Sequence, residues 1–200
     1  YFEYDSKKSG GITISHLRFG NKPIRSAYTV KQADYIACHN QSYVRKYDML
    51  DDLKEGATFV LNCQWSEEEL ESKLPAKMKR ILANKNAKFY IINAVKIADE
   101  IGLGNRINMV MQGAFFKLTN VLPEEIYVSK LKDTIAKMYG KKGEKVVSMN
   151  QEAVDRGRNS VQQVTVPQAW ENAEDELEEE KIKEPEFIEK VVRVMEEMKG

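Results

Sequence analysis

The chain has 200 residues, of which 42% are apolar and 31% are charged, enough for one domain with a hydrophobic core and a further tail. Its 31 Lys and Arg residues equal its 31 Asp and Glu residues, and this net charge of zero argues against general binding to nucleic acid or to a membrane surface. No apolar run approaches the length of a membrane span, and no secretory signal pattern opens the chain.

The first predicted elements are two strands, 1–4 and 13–19, joined by the turn Ser6-Lys7-Lys8-Ser9-Gly10-Gly11. The connection is too short for a helical crossover, so the strands can form a hairpin that makes the sheet mixed. The hydroxyls, ammonium groups and glycines of the turn suit a phosphate ester. A solvated loop with two lysines is the alternative, and the composition of the turn alone favours it.

The next segments alternate between strand and helix patterns. We predict strands over 33–38, 58–63 and 88–93, and helices over 41–53, from the capping box at 66–69, from Pro75, and over 94–101. Gly56 and Gly102 are predicted to end helices. This order predicts an α/β fold with an open three-layer sheet, largely parallel or mixed, and helices on both faces. Ligands bind beyond the carboxyl ends of such strands, where we place 6–8, His39-Asn40, Gln64-Trp65 and Asn93.

The second half of the chain is predicted to be mostly helical. Asn105 is a predicted N-cap for a helix over 106–118, where Arg106 and Asn108 either hold an anion or belong to an ordinary capped helix with an exposed arginine. A further helix is predicted over 124–139, and its buried face carries Val128, Leu131, Ile135 and Met138. Another is predicted over 144–156, and Gly157 is expected to end it. Asn150 in the last helix is either a buried, hydrogen-bonded amide or a ligand contact.

The composition changes after residue 158. We predict a domain over 1–158, followed by a connector over 159–200 with an extended segment at 161–166, a docking turn at 167–170, an acidic linker and a helix over 186–199. The apolar face of that last helix, at Ile188, Val191, Met195 and Met198, is expected to pack on another domain or chain.

The sequence favours a binding role over catalysis by this chain. Cys38 and Cys63 are far apart and sit among apolar residues, which is typical of buried thiols in a reduced, cytoplasmic protein. Without a Cys-x-x-Cys run the chain offers no iron–sulfur ligand set, and it has no dinucleotide fingerprint. His16 and His39 lack metal partners at ligand spacing, and Cys38 and His39 are strand neighbours that point to opposite faces. We expect no catalytic residue and no metal ligand here.

Four stretches together resemble the gamma-type domain of pyruvate:ferredoxin (flavodoxin) oxidoreductase. These are 4–20, with Asp5-Ser6-Lys7-Lys8-Ser9-Gly10-Gly11, and then Ala33-Asp34-Tyr35-Ile36-Ala37-Cys38-His39, Gly104-Asn105-Arg106-Ile107-Asn108 and Tyr139-Gly140-Lys141-Lys142-Gly143. They agree with the family in order and spacing to about Gly157, and 166–200 resembles the connector to its ferredoxin-like domain. The family's Gly-rich strand-to-helix turn would precede this segment, so part of the nucleotide pocket is expected outside the chain.

The resemblance implies the activity and the site. The family converts pyruvate and coenzyme A to acetyl-CoA and CO2 and passes electrons to ferredoxin or flavodoxin, using thiamine diphosphate, Mg²⁺ and [4Fe-4S] clusters that are expected in other domains. It implies a cytoplasmic, homodimeric parent in which this segment binds coenzyme A and docks other domains or subunits. The alternative is a structural interaction module without ligand contact. Lys7 matches a lysine that contacts coenzyme A, and we carry over Asn108 and Asn150 with it. Ser6, Lys8 and Arg106 are added because a hydroxyl and two cations suit its phosphates.

Overall fold

The structure is a computed structural model that describes residues 2–4, 12–25 and 29–175. Strand β1 (Phe2–Tyr4) pairs antiparallel with β2 (Thr13–Ser15), in the register Phe2 to Ser15, which confirms the predicted hairpin. The pair forms a two-stranded sheet of its own rather than part of the main sheet. The prediction that 6–8 follow a strand of the main sheet is therefore wrong, because β1, the strand before them, belongs to the two-stranded sheet.

The main sheet of the described residues is formed by β3 (Ala33–Cys38), β4 (Leu53–Asn62), β5 (Lys88–Ile92) and β6 (Gln162–Val164), in that spatial order. Strands β3, β4 and β5 are parallel, and β6 runs antiparallel to β5. The predicted α/β sheet is confirmed, and the antiparallel strand that makes it mixed comes from the segment predicted to be extended at 161–166.

Helices cover both faces of this sheet. Short helices α1 (Leu70–Lys73) and α2 (Ala76–Asn84) pack on the face that carries Phe59, Leu61 and Phe89. The other face, with Val60 and Ile92, is covered by four helices: α3 (Ala94–Ile101), α4 (Asn108–Thr119), α5 (Glu124–Tyr139) and α6 (Glu144–Asn159). Neighbouring strand residues thus serve opposite cores, as a sheet buried on both faces requires.

The segment after residue 158 packs against the domain as far as it is described. Trp170 lies in a short 3-10 helix, Gln168–Asn172, is buried beside α2, and donates its indole N–H to the carboxylate of Glu71. The Lys79 ammonium sits 5.8 Å above the indole ring and 2.7 Å from the same carboxylate. The Arg80 guanidinium pairs with Asp175 at 2.8 Å. The predicted domain boundary at 158 stays a prediction, and the acidic linker beyond 175 and the helix over 186–199 lie outside the described residues.

The predicted helix over 41–53 is wrong. The structure has a 3-10 helix at Gln41–Tyr43 followed by turns, and β4 begins at Leu53. The end of this segment belongs to the sheet instead, because Leu53 pairs with Ala33 of β3 and the N–H of Ala33 donates to the carbonyl oxygen of Asp52 at 2.7 Å. The Lys85 ammonium also stabilises this end, where it binds the carbonyl oxygens of Leu50, Asp51 and Leu53 at 2.6 to 3.3 Å.

Smaller differences concern the ends and faces of helices. Helix α4 starts at Asn108 rather than at Arg106, because 103–107 form turns closed by hydrogen bonds from the N–H groups of Arg106 and Ile107 to preceding carbonyls. Asn105 is therefore not the N-cap. In α5, Ile135 is buried as predicted, but Met138 is 60% exposed, and Tyr127, which was not predicted, is the other buried residue.

Candidate functional site

The carboxyl ends of the three parallel strands lie at one edge of the sheet. Asn62 ends the central strand there, is 4% exposed, and connects the segments that follow all three strands. Its Nδ2 donates to the carbonyl oxygen of His39 at 2.9 Å, and its Oδ1 accepts from the N–H of Ala94 at 2.9 Å. One amide therefore fixes both the loop after β3 and the start of α3.

Other amides complete this edge. The Oδ1 atoms of Asn40 and Asn93 accept N–H bonds at 3.0 Å and cap the 3-10 helix and α3, respectively. The N–H of Gln64 donates to Oε1 of Gln41 at 2.8 Å. The structure thus brings the predicted edge residues at 39–40, 64–65 and 93 to one end of the sheet.

A cleft of about 330 Å³ opens at this edge, between the ends of β4 and β5, the start of α3 and the end of α6. The chain leaves β4 towards one face of the sheet and leaves β5 towards the other. Crevices at such a change of direction are the usual ligand sites of open α/β sheets. Cys63 and Ile92 are among its apolar lining residues, and Gln64, Asn93 and Gln162 are among its polar ones.

The charges of the cleft nearly balance. The Lys96 ammonium lies 4.0 Å from the Glu100 carboxylate, which also pairs with Arg156. The hydrogen bond from Arg156 lowers the pKa of Glu100, so this carboxylate stays ionised near neutral pH and offsets one of the two cations. The cleft therefore has a small positive excess and no strong electrostatic preference for one class of ligand.

The two cysteines are buried free thiols, as predicted. Burial raises the pKa of Cys38 to about 11, and burial also raises the pKa of Cys63. His39 is held at the same edge, and burial lowers its pKa, so its imidazole is neutral at pH 7. A thiol that keeps its proton is a poor nucleophile.

We expect Cys38 to react with a thiol reagent at pH 8 roughly a hundredfold more slowly in the native chain than in the unfolded chain, because its thiolate is scarce and covered. The raised pKa also means that the native state holds this proton more tightly. Its contribution to the free energy of unfolding is therefore complete below pH 9.0, the ordinary value, and is lost as the pH rises towards 11. Labelling followed by mass spectrometry, and urea unfolding between pH 8 and 11, measure both effects. A Cys38→Ala variant should lose less stability over that range, and labelling at the unfolded rate would contradict the burial of Cys38.

A second candidate region lies where α4 and α6 cross. Gly113 and Gly157 let the two backbones touch: a Cβ added to Gly157 would lie 2.0 Å from the carbonyl oxygen of Val110, and one added to Gly113 would lie 2.3 Å from that of Val154. The prediction that Gly157 ends its helix is wrong, because α6 continues to Asn159. These pairings also show that the helices are antiparallel, since residue numbers rise along α4 as they fall along α6.

Arg106 and Asn108 lie together at the start of α4, and both are exposed. The Nε of Arg106 donates to the carbonyl oxygen of Leu103 at 2.9 Å, which fixes the guanidinium beside the helix start. No side chain caps the first turn of α4, so backbone N–H groups face outward beside this cation. The arrangement is compatible with an anion and equally with a solvated helix end.

Asn150 is 6% exposed and lies inside α6, where its Nδ2 donates to the carbonyl oxygen of Val146 at 2.8 Å. The antiparallel register places it near residue 117 of α4, about 13 Å along the helix axis from Asn108. The two asparagines can therefore not hold the same group of a ligand, although a long ligand can reach both. Their role in binding stays a prediction.

Ser6, Lys7 and Lys8 lie outside the described residues, and their role in binding stays a prediction. The segment that follows β2 is described, and its Phe19 ring packs edge-on against Phe115 of α4, with centroids 6.4 Å apart. Phe115 lies on the half of α4 that is nearer to Asn150. The chain after the hairpin therefore approaches the α4–α6 pair.

Sequence reasoning missed the residues that shape both regions. Asn62, Arg156 and the two crossing glycines each act through partners that are distant in sequence, whereas Lys96 pairs with Glu100 one helical turn away. Within 2–4, 12–25 and 29–175 no group of three or more His, Cys, Asp or Glu side chains is arranged to hold a metal ion. Over the same residues, no helix is long and apolar enough to cross a bilayer.

The chain is similar to known enzymes along its whole length. It is 56% identical over 200 residues to the pyruvate:ferredoxin oxidoreductase of Moorella thermoacetica. This alignment covers 100% of the chain and 17% of that protein. It is 49% identical over 205 aligned residues to the mitochondrial pyruvate dehydrogenase [NADP(+)] of Euglena gracilis. That alignment covers 100% of the chain and 11% of the relative. The chain thus spans about a sixth or less of the length of these relatives.

The fold has a solved counterpart, and the sequence matches a family. The crystal structure of pyruvate oxidoreductase subunit PORC from Thermotoga maritima superposes with a TM-score of 0.54 at 20% identity, over 68% of this chain and 67% of that one, which shows a shared fold. The family model described as pyruvate ferredoxin/flavodoxin oxidoreductase matches residues 1–160. The chain therefore belongs to the pyruvate ferredoxin/flavodoxin oxidoreductase family.

Proposed function

We propose that this chain is the coenzyme A-binding and domain-docking segment of an enzyme that converts pyruvate and coenzyme A to acetyl-CoA and CO2 and reduces ferredoxin. The observation that carries the proposal is the family match over 1–160 together with the 56% identity to a pyruvate:ferredoxin oxidoreductase. Pyruvate is the substrate named in both relatives, while one name contains ferredoxin and the other NADP. The segment is similar to both, so we place the choice of electron acceptor in other parts of the polypeptide.

The described geometry supports a site for a long, phosphorylated ligand beside α4. Arg106 offers a planar cation next to uncapped N–H groups, and Asn108 offers an exposed amide in the same helical turn. The hairpin that carries Lys7 and Lys8 continues into a segment packed on the same helix. In our proposal, the lysines and Arg106 bind the phosphates of coenzyme A, and Asn108 and Asn150 bind its ribose, adenine or pantetheine amide groups.

The other cofactors belong elsewhere in the parent enzyme. A [4Fe-4S] cluster takes four cysteine ligands, and this chain has two cysteines, both of them buried. We therefore assign the clusters, thiamine diphosphate and Mg²⁺ to other domains of a homodimeric parent. The role of this chain would be to hold coenzyme A so that its thiol reaches the acyl group formed there.

A purely structural role is the second candidate, and two contacts favour it. The Nδ2 of Asn150 is already bound to Val146, and the Nε of Arg106 to Leu103, so neither group needs a ligand to be satisfied. In that case the segment would order its neighbouring domains and make no contact with coenzyme A.

Calorimetric titration of the parent enzyme with coenzyme A separates the two roles. Lys7→Ala is expected to weaken the affinity about tenfold, which corresponds to ~1.4 kcal/mol for one lost ammonium–phosphate pair. Lys141→Ala, which removes an exposed lysine from another turn, is the matched control and should leave the affinity unchanged. Asn108→Ala should also weaken binding, whereas Asn105→Ala should not.

The rate of formation of the thiamine-bound intermediate from pyruvate provides a second measurement. It should be the same in the Lys7→Ala variant and the natural enzyme, because the proposed role of Lys7 is confined to coenzyme A. An unchanged affinity for coenzyme A in both the Lys7→Ala and the Asn108→Ala variants would support the structural role instead.

A further inference from the structure

Large apolar side chains are exposed on two neighbouring parts of the domain. Leu17, Phe19 and Ile24 follow β2 and are 71%, 55% and 49% exposed. A second group lies between α4 and α5 and in the first turn of α5, at Val121, Leu122 and Ile126. We call these six side chains the apolar surface.

A row of aromatic rings joins the two groups. Phe19 contacts Phe115, Phe115 contacts Phe116 at 5.1 Å between centroids, and Phe116 stacks on Tyr127 at 5.3 Å. Tyr127 adjoins Ile126 in α5. The two groups therefore lie at the two ends of one row of ring contacts that crosses α4.

The size and composition of this region are those of an interface. Leu17, Phe19 and Ile24 alone present on the order of 300 Å² of surface, as much as the largest apolar patch of many monomers. Leu17, Val121 and Leu122 lie in stretches without Asp, Glu, Lys or Arg, at 12–17 and 118–123, whereas Phe19, Ile24 and Ile126 each have a charged neighbour in sequence. Loss of charged residues together with enrichment in aromatic ones marks the buried centre of an interface.

We infer that the apolar surface is covered, in the parent enzyme, by an apolar face of another domain of the same polypeptide. The inference rests on the proposed function, because it takes this chain to be one domain of that enzyme. Its relative from Moorella thermoacetica has the matched segment as 17% of its length, so about five sixths of such a polypeptide is available to cover it. Contacts between domains of one chain typically bury ~600–1,500 Å², and the apolar surface would be the core of such a contact.

Carbene footprinting of the parent enzyme, without coenzyme A, tests the cover directly. Leu17, Ile24 and Leu122 should be labelled about tenfold less than their exposure in this structure predicts, because the reagent does not reach an apolar side chain buried in an interface. Met138, which is 60% exposed on the outer side of α5, is the internal comparison. Reaction of Leu17 and Leu122 at the rate of free surface residues would overturn the inference.

Two substitutions examine the energetic consequence. Leu17→Lys and Leu122→Lys place a charge in the proposed contact, and each should lower the thermal midpoint of the parent and speed its proteolysis between domains. Met138→Lys is the matched control and should change neither. If protection is present at high protein concentration and disappears on dilution to monomers, a second copy covers the surface and the proposed domain contact is wrong. Neither measurement involves coenzyme A, so a failure here is distinct from a failure of the Lys7 experiment.

Discussion

We expect Gly157→Ala to lower the free energy of unfolding by about 3 kcal/mol, since the new methyl group meets a backbone and not a movable side chain. An added Cβ would lie 2.0 Å from the carbonyl oxygen of Val110 and 2.8 Å from its Cα. Helix α4 must therefore move away from α6 by more than 1 Å, and the side chains between the two helices lose contact. Alanine is the better helix former by ~1 kcal/mol, which offsets part of the cost and is included in this figure.

Thermal unfolding followed by circular dichroism measures this effect, and a domain of this size should lose roughly 6 to 12 °C in its midpoint. Gly140→Ala is the matched control, because Gly140 has a helical φ of −53° and no atom lies within 4 Å of its added Cβ. That variant should be as stable as the natural chain or slightly more stable. Equal midpoints for the two variants would mean that α4 and α6 do not cross as closely as described.

The sequence predicts best those elements in which the local hydrophobic pattern and the flanking residues indicate the same structure. Strand β5 and helix α3 lie within one residue of their predicted ends, because an apolar run is followed directly by an amphipathic helix and a terminal glycine. Gly102 adopts a φ of +90°, as expected for a residue that ends a helix. In these places local preference and tertiary packing favour the same structure.

Prediction was wrong where a distant residue overrides a local pattern. Val44, Tyr47 and Leu50 have helical spacing, yet the segment ends in β4, where Leu53 pairs with Ala33 of β3 and the carbonyl of Asp52 accepts the N–H of Ala33. Gly56 does have a positive φ of +67°, but it lies at an irregularity in β4 and not at the end of a helix. A glycine with a positive φ occurs both at helix ends and at irregularities in strands. The positive φ of Gly56 was therefore predictable from the sequence, but the type of element around it was not.

The candidate site was predictable in its location and not in its construction. Parallel strands imply that the segments after β3, β4 and β5 meet at one edge, and they do. The importance of Asn62 was missed because the residue lies inside the apolar strand predicted over 58–63. Its two partners lie 23 and 32 residues away, and no local pattern reveals them. Lys7 was identified by resemblance and stays a prediction.

Asn62→Ala is expected to lower the free energy of unfolding by about 3 kcal/mol. The substitution leaves the buried N–H of Ala94 and the partly buried carbonyl oxygen of His39 without their partner. An unsatisfied buried polar group costs ~1–3 kcal/mol, and the loss of the partly buried bond to His39 adds to that cost. The loops at the carboxyl edge should also loosen, because Asn62 is the residue that connects them.

Asn93→Ala is the control that separates a buried amide from an ordinary helix cap. It removes the same side chain from a less buried position at the same edge, where Asn93 accepts one N–H bond from Lys96. Loss of a helix cap costs ~1 kcal/mol, so this variant should lie between Asn62→Ala and the natural chain in urea unfolding. Hydrogen exchange should become faster at the N–H of Ala94 in the Asn62 variant and at that of Lys96 in the Asn93 variant. If the two substitutions cost the same and both affect only α3, then Asn62 caps that helix alone and the link to the loop after β3 contributes nothing to stability.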